Sequence, residues 1–201
     1  MSPTANVSYE IDVTDRITAV CENWTAFAIA NSGEHLVAPR VVGRDLWGAI
    51  SDPTTRTLYR AMLKRVRADG GTASFCFRCD SPSKRRELQM HIAAHADGAV
   101  AFTTSLLCEQ ERSAVLLLDP AAERNEAFVV VCAWCARVRV AETQWVEVEA
   151  AARMLHLFDR TALPQLSHGI CPPCSETFTR ALDESAPRSP QIVVVGKLPP
   201  D

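Results

Sequence analysis

Two Cys-x-x-Cys pairs, Cys132-Ala-Trp-Cys135 and Cys171-Pro-Pro-Cys174, stand 35 residues apart in this 201-residue chain. They restrict its folds more than any other feature. A tetrahedral metal takes four soft ligands at about 2.3 Å from one point, and each Cys-x-x-Cys bends around the ion as a tight turn. If both pairs serve one ion, segments distant in the chain must meet. Eight cysteines is a high count for a chain whose start, residues 1–12, carries acids in place of a basic flank and an apolar stretch. In a reducing compartment such enrichment points to metal or thiol chemistry more than to disulfides. Pro172 suits the first residue of a helix, whose free N–H groups would favour thiolates at Cys171 and Cys174. Cys132, Cys135, Cys171 and Cys174 are therefore expected to hold one structural ion, with zinc the common occupant of such sites. A module of 128–183 buries little apolar surface by itself. Metal binding would add folding free energy on the order of 10 kcal/mol, as in small zinc peptides.

The remaining cysteines and histidines read differently. His168, three residues before Cys171, is a candidate replacement ligand or a group that orders the loop by hydrogen bonding. Cys76 and Cys79 sit three apart in an extended pattern, so their side chains diverge. Cys79, Cys21 and Cys108 are expected in the core. His91 and His95 fall on the polar face of their strand, where solvent is the expected surrounding. Catalytic alternatives fail on local residues. A zinc deaminase needs His-x-Glu ahead of Pro-Cys-x-x-Cys, and here His-Gly-Ile-Cys stands there. Haem attachment needs a histidine directly after Cys-x-x-Cys, and Ala136, Ser175 and Asp80 occupy those positions. No nucleophile, base and orienting group belong together, so no enzyme is expected.

The pattern along the chain is mixed α and β. Residues 17–21 suggest a strand, and Trp24, Phe27, Ala28 and Ala30 a helical turn. Ser51-Asp52-Pro53 starts a helix carrying Leu58, Met62, Leu63 and Val66, which Gly70-Gly71 ends. Alternation over 74–79, 87–94 and 99–107 predicts three strands joined by D-S-P-S-K and A-D-G turns. Residues 109–127 form a connector with one apolar clip at 115–118. Residues 128–131 read as a buried strand, followed by a helical stripe of Val148, Ala151, Ala152, Leu155 and Phe158. A loop with Pro164 follows, then a short helix marked by Phe178, Ala181 and Leu182, and an edge strand at 192–195.

These residues carry a resemblance. W-T-A-F-A at 24–28, G-R-D-L-W-x-x-I-S-D-P-T-T-R at 43–56 and F-R-C-D-S-P-S-K-R-R at 77–86 lie on that order of elements. Together they make residues 11–108, about half the chain, resemble a bacterial PAS sensor domain. The resemblance implies a pocket between sheet and helices lined by some of Trp24, Phe27, Leu46, Trp47, Phe75, Met90 and Phe102, residues that suit a plain core equally well. The histidine expected of haem-binding PAS domains and the cysteine motif of flavin-adduct light sensors are both missing, so the pocket's ligand is unknown. Residues 129–182, with S-H-G-I-C-P-x-C as their specific part, resemble the tail found behind PAS or receiver domains in bacterial signalling proteins.

The expected class is α+β: a PAS-like antiparallel sheet with flanking helices, followed by a small zinc-ribbon-like α/β module. The expected division is an N-terminal tail 1–10, a sensor domain 11–108, a connector 109–127, a four-cysteine module 128–183 and a flexible tail 184–201. Net charge is -3. Residues 1–108 hold 12 Lys+Arg against 11 Asp+Glu and the remainder 9 against 13, so neither half has the basic surplus that nucleic acid needs. The longest uncharged apolar run, 127–136, is half of the roughly 20 residues that cross a bilayer. The function expected is non-catalytic signal transduction in the cytoplasm, away from membranes. Output would pass through a protein partner or self-association as a homodimer. A thiol redox switch that releases zinc on oxidation is the alternative, and a zinc-ribbon DNA-binding regulator a third reading.

Overall fold

A computed structural model describes residues 6–31, 33–158, 160–184 and 191–194. The first strands, β1 (Ser8–Ile11) and β2 (Ile17–Val20), pair antiparallel. The Asp12 carboxylate holds their connection, accepting backbone N–H bonds from Thr14 and Arg16 at 2.8 and 3.0 Å. Two short helices follow, α1 (Trp24–Ala30) and α2 (Ala38–Val41). The long helix α3 (Pro53–Asp69) begins where local chemistry favours it. Its first-turn N–H at Thr55 donates to the Asp52 carboxylate at 2.6 Å, and Pro53 stands at the first position, where its missing N–H is no loss. It ends at Gly70, whose left-handed φ of 57° a side chain would strain. Leu58, Met62, Leu63 and Val66 form its buried face.

A meander of β3 (Thr72–Arg78), β4 (Lys84–Ala94) and β5 (Val100–Glu111) comes next. Ala73, Phe75, Leu88, Met90, Ile92, Val100 and Phe102 point inward in the expected alternation. Two expectations give way here. Strand β3 stops at Arg78, which leaves Cys79 exposed in the turn. A bulge beside Glu87 and Leu88 pairs Glu87 with Cys108 but Leu88 with Leu106, so the alternation of β5 breaks and Cys108 is exposed.

The rest of the chain comprises β6 (Arg124–Cys132), β7 (Val138–Arg139), β8 (Trp145–Val146), α4 (Val148–Met154), β9 (Leu163–Gly169), α5 (Pro172–Glu184) and β10 (Gln191–Val194). One sheet has the order β10-β3-β4-β5-β1-β2, in which the five strands from β3 to β2 are antiparallel and β10 runs parallel to β3. The other has the order β8-β7-β6-β9, with β6 and β9 parallel. The architecture is thus α+β.

Strand β9 replaces the loop expected around Pro164. The stretch L-P-Q-L-S-H-G lacks alternation, and proline is tolerated because β9 is an edge strand. The stripe expected to reach Phe158 ends at Met154: His156 turns left-handed at φ 52° and the Leu157 N–H donates to Ala152 O at 2.9 Å. Phe158 is consequently exposed; Phe128, in the strand expected to be buried over 128–131, is exposed as well, and burial in β6 is complete only at Val131 and Cys132. Residues 8–10 of the expected N-terminal tail belong to strand β1, and residues 1–5 lie outside the described residues, as do 185–190 and 195–201 of the C-terminal tail.

Two apolar clusters organise the interior. The larger unites α3 and the inner face of the first sheet with Cys132, Trp134, Cys135, Cys171 and Phe178. The smaller sits between α4 and the second sheet and includes Val131, Val138, Val148 and Ala151. Val115 and Leu117 of the apolar clip are buried in it. No described helix is long and apolar enough to cross a membrane.

Ion pairs tie the end of β3 and the residue after β5 to the start of α4. The buried Arg78 guanidinium donates to Asp80 and, at 2.5 Å, to Glu147 at the start of α4. Arg112 bridges Asp80 at 3.1 Å and Glu149 at 3.0 Å, and Arg137 meets Glu147 at 3.1 Å. Removing one partner of a buried pair costs about 3–5 kcal/mol because the other charge is stranded. Arg78→Met is expected to cost about 3 kcal/mol, the lower end of that range, since Arg112 and Arg137 still serve the acids. Urea unfolding of the metal-loaded chain measures it, and a loss below about 1 kcal/mol would contradict it.

Candidate metal centre

Parallel pairing of β6 with β9 is what brings the two cysteine pairs together. Cys132 is the last residue of β6 and lies in register with Gly169 at the end of β9. The chain then turns through 133–135, closed by Ala136 N–H to Cys132 O at 3.0 Å and Cys132 N–H to Arg137 O at 2.7 Å. Ala136 takes a left-handed φ of 58°, a conformation that costs a residue with a Cβ about 1–2 kcal/mol. Ala133 N–H donates to Gly169 O at 2.8 Å, fastening this turn to β9. At Gly169 an added Cβ would stand 3.0 Å from Val130 Cγ1, so any side chain there would have to displace that valine. Two residues later Cys171 precedes α5, with Pro172 as the first helical residue and Cys174 in the first turn.

The four sulfur atoms of Cys132, Cys135, Cys171 and Cys174 lie within 4.8 Å of one another. Tetrahedral coordination at about 2.3 Å places sulfurs about 3.8 Å apart, and Cys135 Sγ stands 3.7 Å from Cys171 Sγ. Cys132, Cys135 and Cys171 are buried and Cys174 is half-buried. Cys171 N–H donates to Cys132 Sγ at 3.4 Å. Hydrogen bonds from Cys135, Cys171 and Cys174 hold the Cys132 thiol far below its ordinary range. Sulfur contacts led by Cys132 push the Cys174 thiol far above it. Four thiols so crowded cannot all ionise unless a cation takes their protons' place. The distances, the burial and the all-sulfur donor set are consistent with one metal ion.

Trp134, between the two cysteines of the first pair, fixes the turn in the interior. Its ring lies 5.6 Å from Tyr59, 5.8 Å from Phe75 and 5.3 Å from Phe178. Its carbonyl accepts from Arg78 N–H at 2.7 Å. The sequence reading passed over this residue, although a large aromatic between two ligands inside the apolar run 127–136 was the available signal. The Trp134 Nε1 and Thr55 Oγ1 atoms are buried without a hydrogen-bond partner among the described residues, an arrangement that costs about 1–3 kcal/mol for each.

The other candidates lie apart from the sulfurs. His168 is exposed on β9, paired in register with Val131, and is not among the clustered ligand atoms. Cys21 is half-buried, donating to Asn23 Oδ1 at 2.8 Å and accepting from Ser8 N–H at 3.2 Å. Cys76 is half-buried too, and burial together with Glu87 pushes its thiol up, which leaves it a poor nucleophile. His91 and His95 are exposed as expected, the former within 2.9 Å of Ser74 Oγ.

The expected pocket residues divide between places. Leu46, Phe75 and Met90 line a cavity of about 380 Å³, and Leu46 with Trp24 lines another of about 660 Å³. Phe102 is fully buried, stacked on Tyr9 at 4.4 Å. Trp47 carries the Arg60 guanidinium 4.7 Å above its ring and donates to Asp15 Oδ2 at 2.8 Å. Phe27 is half-buried on α1 and lines neither cavity. No known protein family matches the chain, and no curated protein matches it.

Elemental analysis of the purified chain is expected to find one equivalent of divalent metal, lost in both Cys132→Ser and Cys171→Ser. Acidification should release it, because protons compete for the thiolates. Metal retained in both variants would place it elsewhere.

Proposed function

We propose that the chain is a non-catalytic sensory protein in which a PAS-like body is joined to a structural zinc centre, with output through a partner protein or a second copy of itself. The order of elements supports the first half of this reading: a short strand, small helices, the longer α3 and an antiparallel meander. The sulfur cluster supports the second. Zinc has no geometric preference from d-electrons and takes four thiolates readily, and a site whose four positions are all protein ligands keeps none open for a substrate.

The observation that carries the proposal is the place of Trp134. A residue between two metal ligands packs against Tyr59 of α3 and Phe75 of β3, so the zinc turn and the sensing sheet share one core. A shift of β3 would reach the turn through Arg78 N–H on the Trp134 carbonyl, and α4 through Arg78 on Glu147. One observation favours a second reading, a redox switch. Cys135 and Cys171 sulfurs are 3.7 Å apart, so an oxidant such as peroxide could take two electrons from this pair, form the disulfide and eject the ion. Burial of both sulfurs opposes fast attack.

Metal transfer to a chromogenic chelator tests the coupling. Phe75→Leu, which loosens the core shared with Trp134 and Phe178, is expected to speed release about tenfold, as a loss of about 1.4 kcal/mol in the metal-bound state would. Release at the wild-type rate by a folded variant would remove the coupling. Zinc retained with unchanged circular dichroism after peroxide would dispose of the switch.

A further inference from the structure

The cavity of about 380 Å³ lies where α3, the first sheet and the cysteine turn meet, with Tyr9, Thr55, Tyr59, Phe75, Met90 and Trp134 in its wall. Among the described residues, no lysine or arginine lines it. Its one acid, Asp52, is engaged by the Thr55 N–H at 2.6 Å. Ala49, Ser51 and His168 are the exposed members of the lining. Two wall residues, each more than nine-tenths buried, carry polar atoms that nothing in the described chain satisfies: Thr55 Oγ1 and Trp134 Nε1. An indole N–H can only donate, whereas a hydroxyl donates or accepts. Burial raises the phenols of Tyr9 and Tyr59 above their ordinary range, so both remain protonated. The wall is thus aromatic and apolar, furnished with neutral hydrogen-bond donors and free of cations. A charged guest would lose its hydration without gaining a counter-charge. A neutral ring compound with an acceptor oxygen would lose little and, with a small shift of the wall that now covers Trp134 Nε1, would satisfy the orphaned donor. The volume, near the lower end of the ligand-site range, suits a molecule of roughly a dozen non-hydrogen atoms.

We propose that this cavity binds a small neutral cyclic carbonyl compound, whose oxygen accepts the Trp134 indole N–H. The residue between two metal ligands then reads the occupancy of the cavity directly. This deepens the sensory reading above, and rests on it for the purpose of binding though not for binding itself. The contact differs from a pocket confined to sheet and helices, because one wall belongs to the metal turn: both Ala133 and Trp134 line the cavity.

Nitrogen-15 spectra of the metal-loaded full chain test it. The four tryptophans give four indole N–H resonances, and Trp134→Phe identifies the one belonging to Trp134. Titration with 1-indanone is expected to move that resonance downfield and to saturate. Indane, the same skeleton without the oxygen, should bind roughly three- to tenfold more weakly and leave the downfield shift absent. Ala49→Phe, which fills the cavity from a lining position, should abolish the response. Thr55→Val, a substitution of similar shape, should keep the fold and retain the Trp134 shift. An unmoved Trp134 resonance at the solubility limit of 1-indanone would overturn the proposal. So would an equal shift with indane, or an unchanged response in a folded Ala49→Phe chain. Absence of binding with core-dependent metal release intact would sink this inference alone. Binding without that dependence would sink the sensory reading alone.

Discussion

Four cysteine sulfurs within 4.8 Å of one another set the terms for much of the chain. Such a cluster is costly as thiols and worse as uncompensated thiolates, and a divalent ion relieves both problems. The requirement is not local. It fixes the end of β6 against the start of α5, which obliges β9 to run beside β6 in parallel and the intervening residues to fold over the sheet as β7, β8 and α4. Parallel pairing closes a long loop before its hydrogen bonds can compensate, and loop closure carries an entropic cost. Coordination at the loop's two ends offsets that cost where it arises.

The same convergence explains why the turn is buried. A surface metal turn would leave Trp134 in water, but here its ring packs against Tyr59, Phe75 and Phe178, which come from α3, β3 and α5. Fully burying a large aromatic is worth a few kcal/mol at about 25 cal/mol per Å². That gain tolerates the left-handed backbone at Ala136. The flanking ions act at another point. Arg78, Arg112 and Arg137 balance Asp80, Glu147 and Glu149, joining the β3–β4 turn to the first turn of α4. Paired this way the charges add specificity of orientation more than net stability.

What the sequence made legible follows from how local each signal is. Asp52-Pro53 and Gly70 mark both ends of α3 because capping involves neighbouring residues alone. The inward residues of β3 and β4 followed from simple alternation. Cys108 was misplaced because a bulge is set by the partner strand, which alternation within β5 cannot report. Strand β9 was missed for a related reason: L-P-Q-L-S-H-G earns its pairing from β6, and its own residues favour no element strongly. The four ligands were legible from spacing and softness. The burial of their turn was not, since it depends on Phe75 and Phe178, which lie far from Trp134 in the chain.

Metal-turn stability and the cost of an unsatisfied donor meet at Trp134. Folded domains are stable by only about 5–15 kcal/mol, so two orphaned polar atoms at about 1–3 kcal/mol each would be a heavy burden on a small core. A metal centre contributing on the order of 10 kcal/mol changes that balance. It anchors both sides of the Trp134 turn. Were the turn held by apolar packing alone, evolution would be expected to fill the cavity or replace the indole with phenylalanine, since either change stabilises. Keeping a donor without a partner among the described residues beside empty space is tolerable only where another interaction carries the fold, and the sulfur cluster, with Cys135 next to Trp134 and Cys132 two residues before it, is placed to do so.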